Sequence, residues 1–151
     1  TSTPGTETYC GSLAAVNTGH ILSCVHIGKV QGPDYVGGLV GLNKGHIVAS
    51  YHTGYVISTS GENSKVYGTV AKSDNGKVFG IYFNSDYLPG TNELGAQSTT
   101  YLQSEKFVDA INGSKISYIE KEETGLTPGM KKHYRNEHNF QYRPGAYPLP
   151  D

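Results

Sequence analysis

The chain has 151 residues, enough for one domain or for a repeat body with a terminal cap. Its 12 Lys and Arg against 13 Asp and Glu leave no field that would draw it to nucleic acid or to an anionic membrane. Twenty Gly, twelve Tyr, one Met and no Trp suit a protein of turns and tyrosine-bearing strands. No segment is apolar for long enough to span a bilayer, and none reads as a secretory signal.

In chain order, the opening TSTPGTETYC reads as an exposed approach strand or linker. It begins at Thr1 and offers nothing that would cap a sheet before Cys10, so the protein is expected to continue N-terminally. Cys10 and Cys24 read either as two small buried thiols or as a disulfide closing the first repeat, and spacing alone does not choose.

The stretch 37–56, GGLVGLNKGHIVASYHTGYV, repeats 11–30, GSLAAVNTGHILSCVHIGKV, shifted by 26 residues, with nine of twenty positions identical. A weaker third copy runs over 68–84 at an offset of 31, after a longer connection around 58–65. A unit of this length cannot bury its apolar side alone, so copies stack and share a core. Gly, Asn or Thr interrupts it every few residues, which excludes helical repeats. Between breaks lie β-branched and aromatic runs, 39–42, 46–51 and 55–58. Three short strands per copy describe one coil of a parallel β-solenoid, or β-helix, right-handed by the general preference of parallel crossovers. Coils are expected near 11–36, 37–67 and 68–87.

Each copy carries an Asn or Asp two residues before a Gly: Asn17 and Gly19, Asn43 and Gly45, Asp74 and Gly76. Stacked about 4.8 Å apart, such side chains make a turn ladder, with the glycines supplying positive φ. Apolar columns are expected inside the stack: Leu13, Leu39 and Val70; Ile21, Ile47 and Val78; Val25, Tyr51 and Tyr82; Val30 and Val56.

After Tyr87 the pattern changes to a loop. A capping-box spacing at Thr100–Gln103 precedes Phe107, Val108 and Ile111, one helix ended by Asn112-Gly113. A short strand over 116–119, a loop around Pro128 and an extended tail follow. The division is therefore 1–97, repeat solenoid, and 98–151, a cap containing one helix; residues 88–151 are expected to cover the last coil, whose bare edge would invite other chains.

Gly38-Leu39-Val40-Gly41, Asn43-x-Gly45-x-Ile47, Ser50-Tyr51 and Gly54-x-Val56 together resemble the GLUG repeat of bacterial secreted and cell-surface proteins. That family includes IgA-specific metallopeptidases, where the repeat lies outside the catalytic unit. The segment with 107–112, FVDAIN, and a final Tyr147-Pro148-Leu149 is similar to the stretch that often follows such repeats. The first and third copies depart from the tetrapeptide with Ser-Leu-Ala-Ala and Thr-Val-Ala-Lys. The resemblance implies export, an extracellular or cell-surface setting, and adhesive or structural work. It supplies neither a ligand nor a catalytic residue.

Histidine offers the clearest route to hidden chemistry, since His20 aligns with His46 and His26 with His52. The third copy breaks both columns with Lys77 and Phe83, so the expected role is solvent-facing duplicates and no metal site, which would want four convergent ligands. His133 and His138 miss the two-His helical zinc pattern. A polysaccharide-degrading β-helix would need a carboxyl pair within roughly 5 to 9.5 Å. Asp34, Glu62 and Asp74 are scattered over non-equivalent loops, so such a pair would have to be brought together by the fold, Asp34 with Glu62 for example. The function expected is therefore non-enzymatic and without cofactors. Carbohydrate binding is the alternative, centred on the lengthened loop and on Tyr55, Asn63, Lys65 and Tyr67, because tyrosine rings present rigid apolar area with a polar tip. Partners expected are a host or dietary glycan or a host surface protein.

Overall fold

The computed structural model describes residues 9–59, 66–88, 93, 95–121 and 124–150. The protein is mainly β, and its strands fall into successive sets. The first holds β1 (Tyr9–Gly11), β2 (Ala14–Asn17), β3 (His20–Leu22), β4 (Val25–Ile27) and β5 (Val30–Gly32). The second holds β6 (Tyr35–Gly37), β7 (Val40–Asn43), β8 (His46–Thr53) and β9 (Val56–Ser58), and the third β10 (Val66–Tyr67), β11 (Val70–Ser73) and β12 (Lys77–Asn84). Strands of one set pair in parallel with those of the next, in separate sheets: β1-β6-β10, β2-β7-β11, β3 and β4 on β8 with β12 beyond, and β5-β9.

The register follows the repeat. Tyr9 lies opposite Tyr35, Ala14 opposite Val40, His20 opposite His46, Val25 opposite Tyr51 and Val30 opposite Val56, an offset of 26 throughout. Between the second and third sets the offset is 30 at Val36–Val66 and Val40–Val70, then 31 from His46–Lys77 to His52–Phe83. The extra residue falls in the turn between Ser73 and Lys77. Val70 therefore lies opposite Val40 rather than in the column of Leu13 and Leu39.

That insertion also changes the turn ladder. Asn17 Nδ2 donates to Asn43 Oδ1 at 3.0 Å, and Asn43 Nδ2 donates to the Lys77 carbonyl at 3.2 Å. Each Asn oxygen accepts from the glycine N–H two residues on. Asp74 does not extend the ladder, because Ser73 occupies the position opposite Asn43. Asp74 points to solvent, 4.0 Å from Lys44 Nζ. Nor do Gly19, Gly45 and Gly76 hold left-handed backbone. Gly45 and Gly76 are required by close approach instead: a Cβ on Gly45 would lie 2.2 Å from the Gly19 carbonyl, and one on Gly76 2.4 Å from that of Asn43.

The left-handed residues form another column. Ser23 (φ 54°), Ala49 (φ 51°) and Gly80 (φ 67°) occupy equivalent places in the three copies. A positive φ inside a strand shifts the two-residue alternation of side chains. Val48 and Tyr51, three apart, consequently share the face that meets the helices, while Ile47 faces the other way. Leu39, Val40 and Ile47, with Ile21, Val70 and Ile81, form the packing between the sheets of β7 and β8. The Val25, Tyr51 and Tyr82 column belongs instead to the cluster under the helices.

Three helices replace the one expected: α1 (Thr99–Leu102), α2 (Glu105–Ile119) and α3 (Pro128–Asn136). Ser104 caps α2 by accepting from the Phe107 N–H. The helix runs through Asn112-Gly113 and absorbs 116–119, expected as a strand. Its buried stripe is Phe107, Val108, Ile111, Lys115, Tyr118 and Ile119, a helical spacing that Lys115 hides in the sequence. Lys115 is fully buried, with Nζ donating to the Glu137 carbonyl and Asn139 Oδ1 at 2.8 and 2.6 Å. Asn112 stays helical while pairing its amide with the N–H and C=O of Phe140. Thr127 caps α3, with Pro128 at its start.

These helices cover a flank of the stack, not its end. Their cluster takes Leu22 from the first copy, Val48 and Tyr51 from the second and Phe79 from the third. Tyr51 is the centre: fully buried, edge-on to Phe107 at 5.1 Å, 5.5 Å from Phe140, its hydroxyl donating to the Pro148 carbonyl. Two short strands, β14 (Phe140–Gln141) and β15 (Leu149–Pro150), close this layer as an antiparallel pair.

Candidate functional site

The third copy ends the stack incompletely. Among the described residues, only Phe83 and Asn84 of β12 have a further strand beside them, β13 (Ala96–Gln97). Among the described residues, β11 and the first half of β12 have no strand on their outer side. A groove of about 510 Å³ follows that edge, floored by Val70, Ala71, Val78 and Ile81 and rimmed by Lys72 and Glu93. It meets a second pocket of about 300 Å³ at Val78, where His46, Lys77, Phe79, Tyr118 and Lys121 form the walls. Val78 is 49% exposed although Ile47 beside it is fully buried.

Glu93 stands at the head of the groove. Its Oε1 accepts the Gly68 N–H at 2.7 Å, and its Oε2 accepts both the Thr69 N–H at 2.9 Å and the Thr69 hydroxyl at 2.7 Å. No motif points to it, and it lies 24 residues from Thr69, so the sequence carries no local signal of this contact.

The histidines expected to face solvent divide: His20 is exposed, His26 and His46 are half-buried and His52 is buried. His52 is fully buried, its Nε2–H donating to the Gly54 carbonyl at 3.2 Å. Its Nδ1 is then left to accept from His26 Nδ1–H at 3.1 Å, and the two rings stack in parallel at 5.1 Å. Burial, with His26 beside it, pushes the His52 pKa down to about 4. Burial lowers His26 as well. The other pair is engaged by the helical layer: His20 Nε2 lies 2.5 Å from the Thr124 carbonyl and His46 Nδ1 lies 2.6 Å from the Tyr118 hydroxyl. His46 is lowered by burial, then by His20 and Lys77. These imidazoles are committed to structural hydrogen bonds. Among the described residues no three His, Cys, Asp or Glu side chains converge as a metal would require.

The expected contact residues divide. Tyr55 is 56% exposed and its ring meets Tyr87 edge-on at 4.9 Å. Tyr67 lies in β10 opposite Gly37, and among the described residues no ring contact joins it to Tyr55. Asn63 and Lys65 lie outside the described residues, as does Glu62 of the Asp34 and Glu62 pairing. A tyrosine surface that the loop argument missed is Tyr9 on Tyr35, stacked at 5.4 Å, with Lys72 Nζ about 6 Å from both ring centres. Its signal was present as the two tyrosines 26 residues apart. Cys10 and Cys24 are both free. Burial raises the Cys24 pKa, the inert end of thiol behaviour. No helix among the described residues is long and apolar enough to cross a membrane.

Compared with known proteins, the chain matches no family model, no curated protein and no solved structure.

Proposed function

We propose that the chain is a section of an exported bacterial surface protein in which GLUG-like repeats stack as a short right-handed parallel β-solenoid of three coils, serving adhesion or rigid presentation. Residues 1–97 are the solenoid and 98–151 its helical flank. The observation carrying this reading is the parallel register: five strand positions of the first copy lie opposite their repeats, all 26 residues on. The polar side chains of the Asn and His columns are spent on that stacking. A rigid, repetitive body with polar groups satisfied internally suits display work more than turnover.

Carbohydrate binding is the second reading, favoured by exposed Tyr55 held edge-on by Tyr87. Both readings meet in one experiment: the monodisperse chain on an array of host and plant glycans, beside Tyr55→Ala and Tyr67→Ala. Saturable binding weakened by either substitution assigns an adhesin that reads sugar. Absence of binding with no turnover leaves rigid presentation. Release of new reducing ends or unsaturated sugars from any polysaccharide would overturn the non-enzymatic reading.

A further inference from the structure

We propose that Glu93 closes the free edge of the third copy, and that this edge, with the carboxylate removed, takes the first-copy edge of a second molecule of this chain. The corner before β2, β7 and β11 shows why. There the Leu13 N–H donates to the Leu39 carbonyl, the Gly38 N–H to the Tyr67 carbonyl and the Leu39 N–H to the Thr69 carbonyl, each at 2.9 Å. Each copy thus hands its corner N–H groups to carbonyls of the next. Gly68 and Thr69 follow Gly38 and Leu39 at the offset of 30 seen at Val40–Val70. Among the described residues they have no next copy to donate to, and the two oxygens of Glu93 stand in for its carbonyls at 2.7 and 2.9 Å.

The occupant follows from continuity. The groove floor of Val70, Ala71, Val78 and Ile81 ends the same packing that elsewhere lies copy on copy. The surface that fits it is the opposite edge of a copy, and among the described residues the first copy presents one, with Leu13 and Val16 36% and 47% exposed. In the register of the stack, the Gly11 and Leu13 carbonyls of the second molecule would receive the Gly68 and Thr69 N–H groups, and its Ile21 would follow Val78. Such a head-to-tail contact does not close on itself and grows into a filament. One charge on an unpaired edge is a recognised way to prevent that. The proposal uses pairing geometry alone and stands or falls apart from any adhesive role.

The test is sedimentation velocity of the full chain over a concentration series, with amide hydrogen exchange. Wild type is expected as one chain, with slow exchange at Gly68 and Thr69. Glu93→Ala is expected to associate as concentration rises, and Glu93→Ala with Leu13→Lys, which places a charge at the docking edge, to return to one chain. In Leu13→Lys/Glu93→Ala, exchange at Gly68 and Thr69 should speed by about tenfold to a hundredfold, the measure of charge-assisted bonds lost. A folded Glu93→Ala that stays monomeric overturns the proposal, as does association that Leu13→Lys leaves untouched. Should Glu93→Ala fail to fold, fast exchange of the two amides in wild type would overturn the cap by itself, and slow exchange with association of Glu93→Gln would support it.

Discussion

The two junctions of the stack, first copy on second and second on third, use equivalent strands and different side chains. At the first, Asn17 meets Asn43, the His20 ring lies tilted against His46 at 4.8 Å and His26 bonds to His52. At the second, the places opposite Asn43, His46 and His52 hold Ser73, Lys77 and Phe83. Phe83 is fully buried and its ring lies where a Cβ on Gly68 would be, as the His52 ring lies beside Gly38. The polar tie there is Asn84, whose Nδ2 reaches Thr53 Oγ1, Thr99 Oγ1 and the Tyr147 hydroxyl, linking the junction to the helical flank. One site in the column can therefore be imidazole or phenyl without changing the backbone that surrounds it. The difference is that the first junction sets imidazole against imidazole and the second does not.

The largest expected effect follows from that. The unfolded His52 imidazole takes its proton near pH 6.5 and the folded one near 4, because burial disfavours its charged form. Between those values the unfolded chain binds more protons, so stability is whole above about pH 6.5, falls as pH drops and levels off below about pH 4. The loss is on the order of 3 kcal/mol. The lowered pKa values of His26 and His46 add in the same direction. His52→Phe copies the third copy into the second and is expected to flatten most of this dependence in urea melts across the window. An equally steep profile in His52→Phe would place the titration elsewhere and dissolve the contrast between junctions.

The amide ladder tests the contrast from its shared member. Asn43 takes part in both junctions, accepting from Asn17 and Gly45 and donating to Lys77, whereas Asn17 serves the first alone. Asn43→Ala strands buried groups on both sides and is expected to cost about 2 kcal/mol or more, with Asn17→Ala about 1. Equal losses in chemical denaturation would show that the ladder stops at the first junction. The two variants are also close enough to couple, so the double variant should cost less than the sum.

How much of this was legible depends on whether a position repeats. Offset 26 could be read because Asn, Gly and His recur at fixed places. The third copy was misread by one residue because Gly37-Gly38 and Leu39-Val40 are near-degenerate: either register sets Gly on Gly and an apolar residue on Val70. An insertion in a turn leaves no trace in such a comparison. His52 was misjudged because the left-handed residue at Ala49 changes which neighbours share a face, and nothing about Ala announces a positive φ. The length of α2 was hidden by Lys115, which reads as a surface residue and is buried only because Glu137 and Asn139 meet its ammonium. Gly113 is exposed and a Cβ there would meet open space, so its presence in the helix costs only its propensity, about 1 kcal/mol. The start of α3 did carry its signal, a Thr N-cap before Pro at the first turn. Glu93 carried none, since its partners are set by where the stack stops.

The smallest effect belongs to the inserted turn. Lys44 and Asp74 are both exposed and 4.0 Å apart, at the place where the second junction departs from the first. An exposed pair of this kind contributes about 0.5 kcal/mol or less, and less still in salt. Asp74→Ala is therefore expected to leave the urea midpoint nearly unchanged, while Asn43→Ala, one strand away in the same turn column, moves it clearly. Asn75, next in the turn, carries a positive φ of 61°. Asn tolerates that conformation and Gly takes it at no steric cost, so Asn75→Gly should also change little. If either substitution lowered stability as much as Asn43→Ala, the inserted residue would be part of the packing and not a loop that the stack accommodates. The register step from 30 to 31 would then have to be explained by what the turn holds in place.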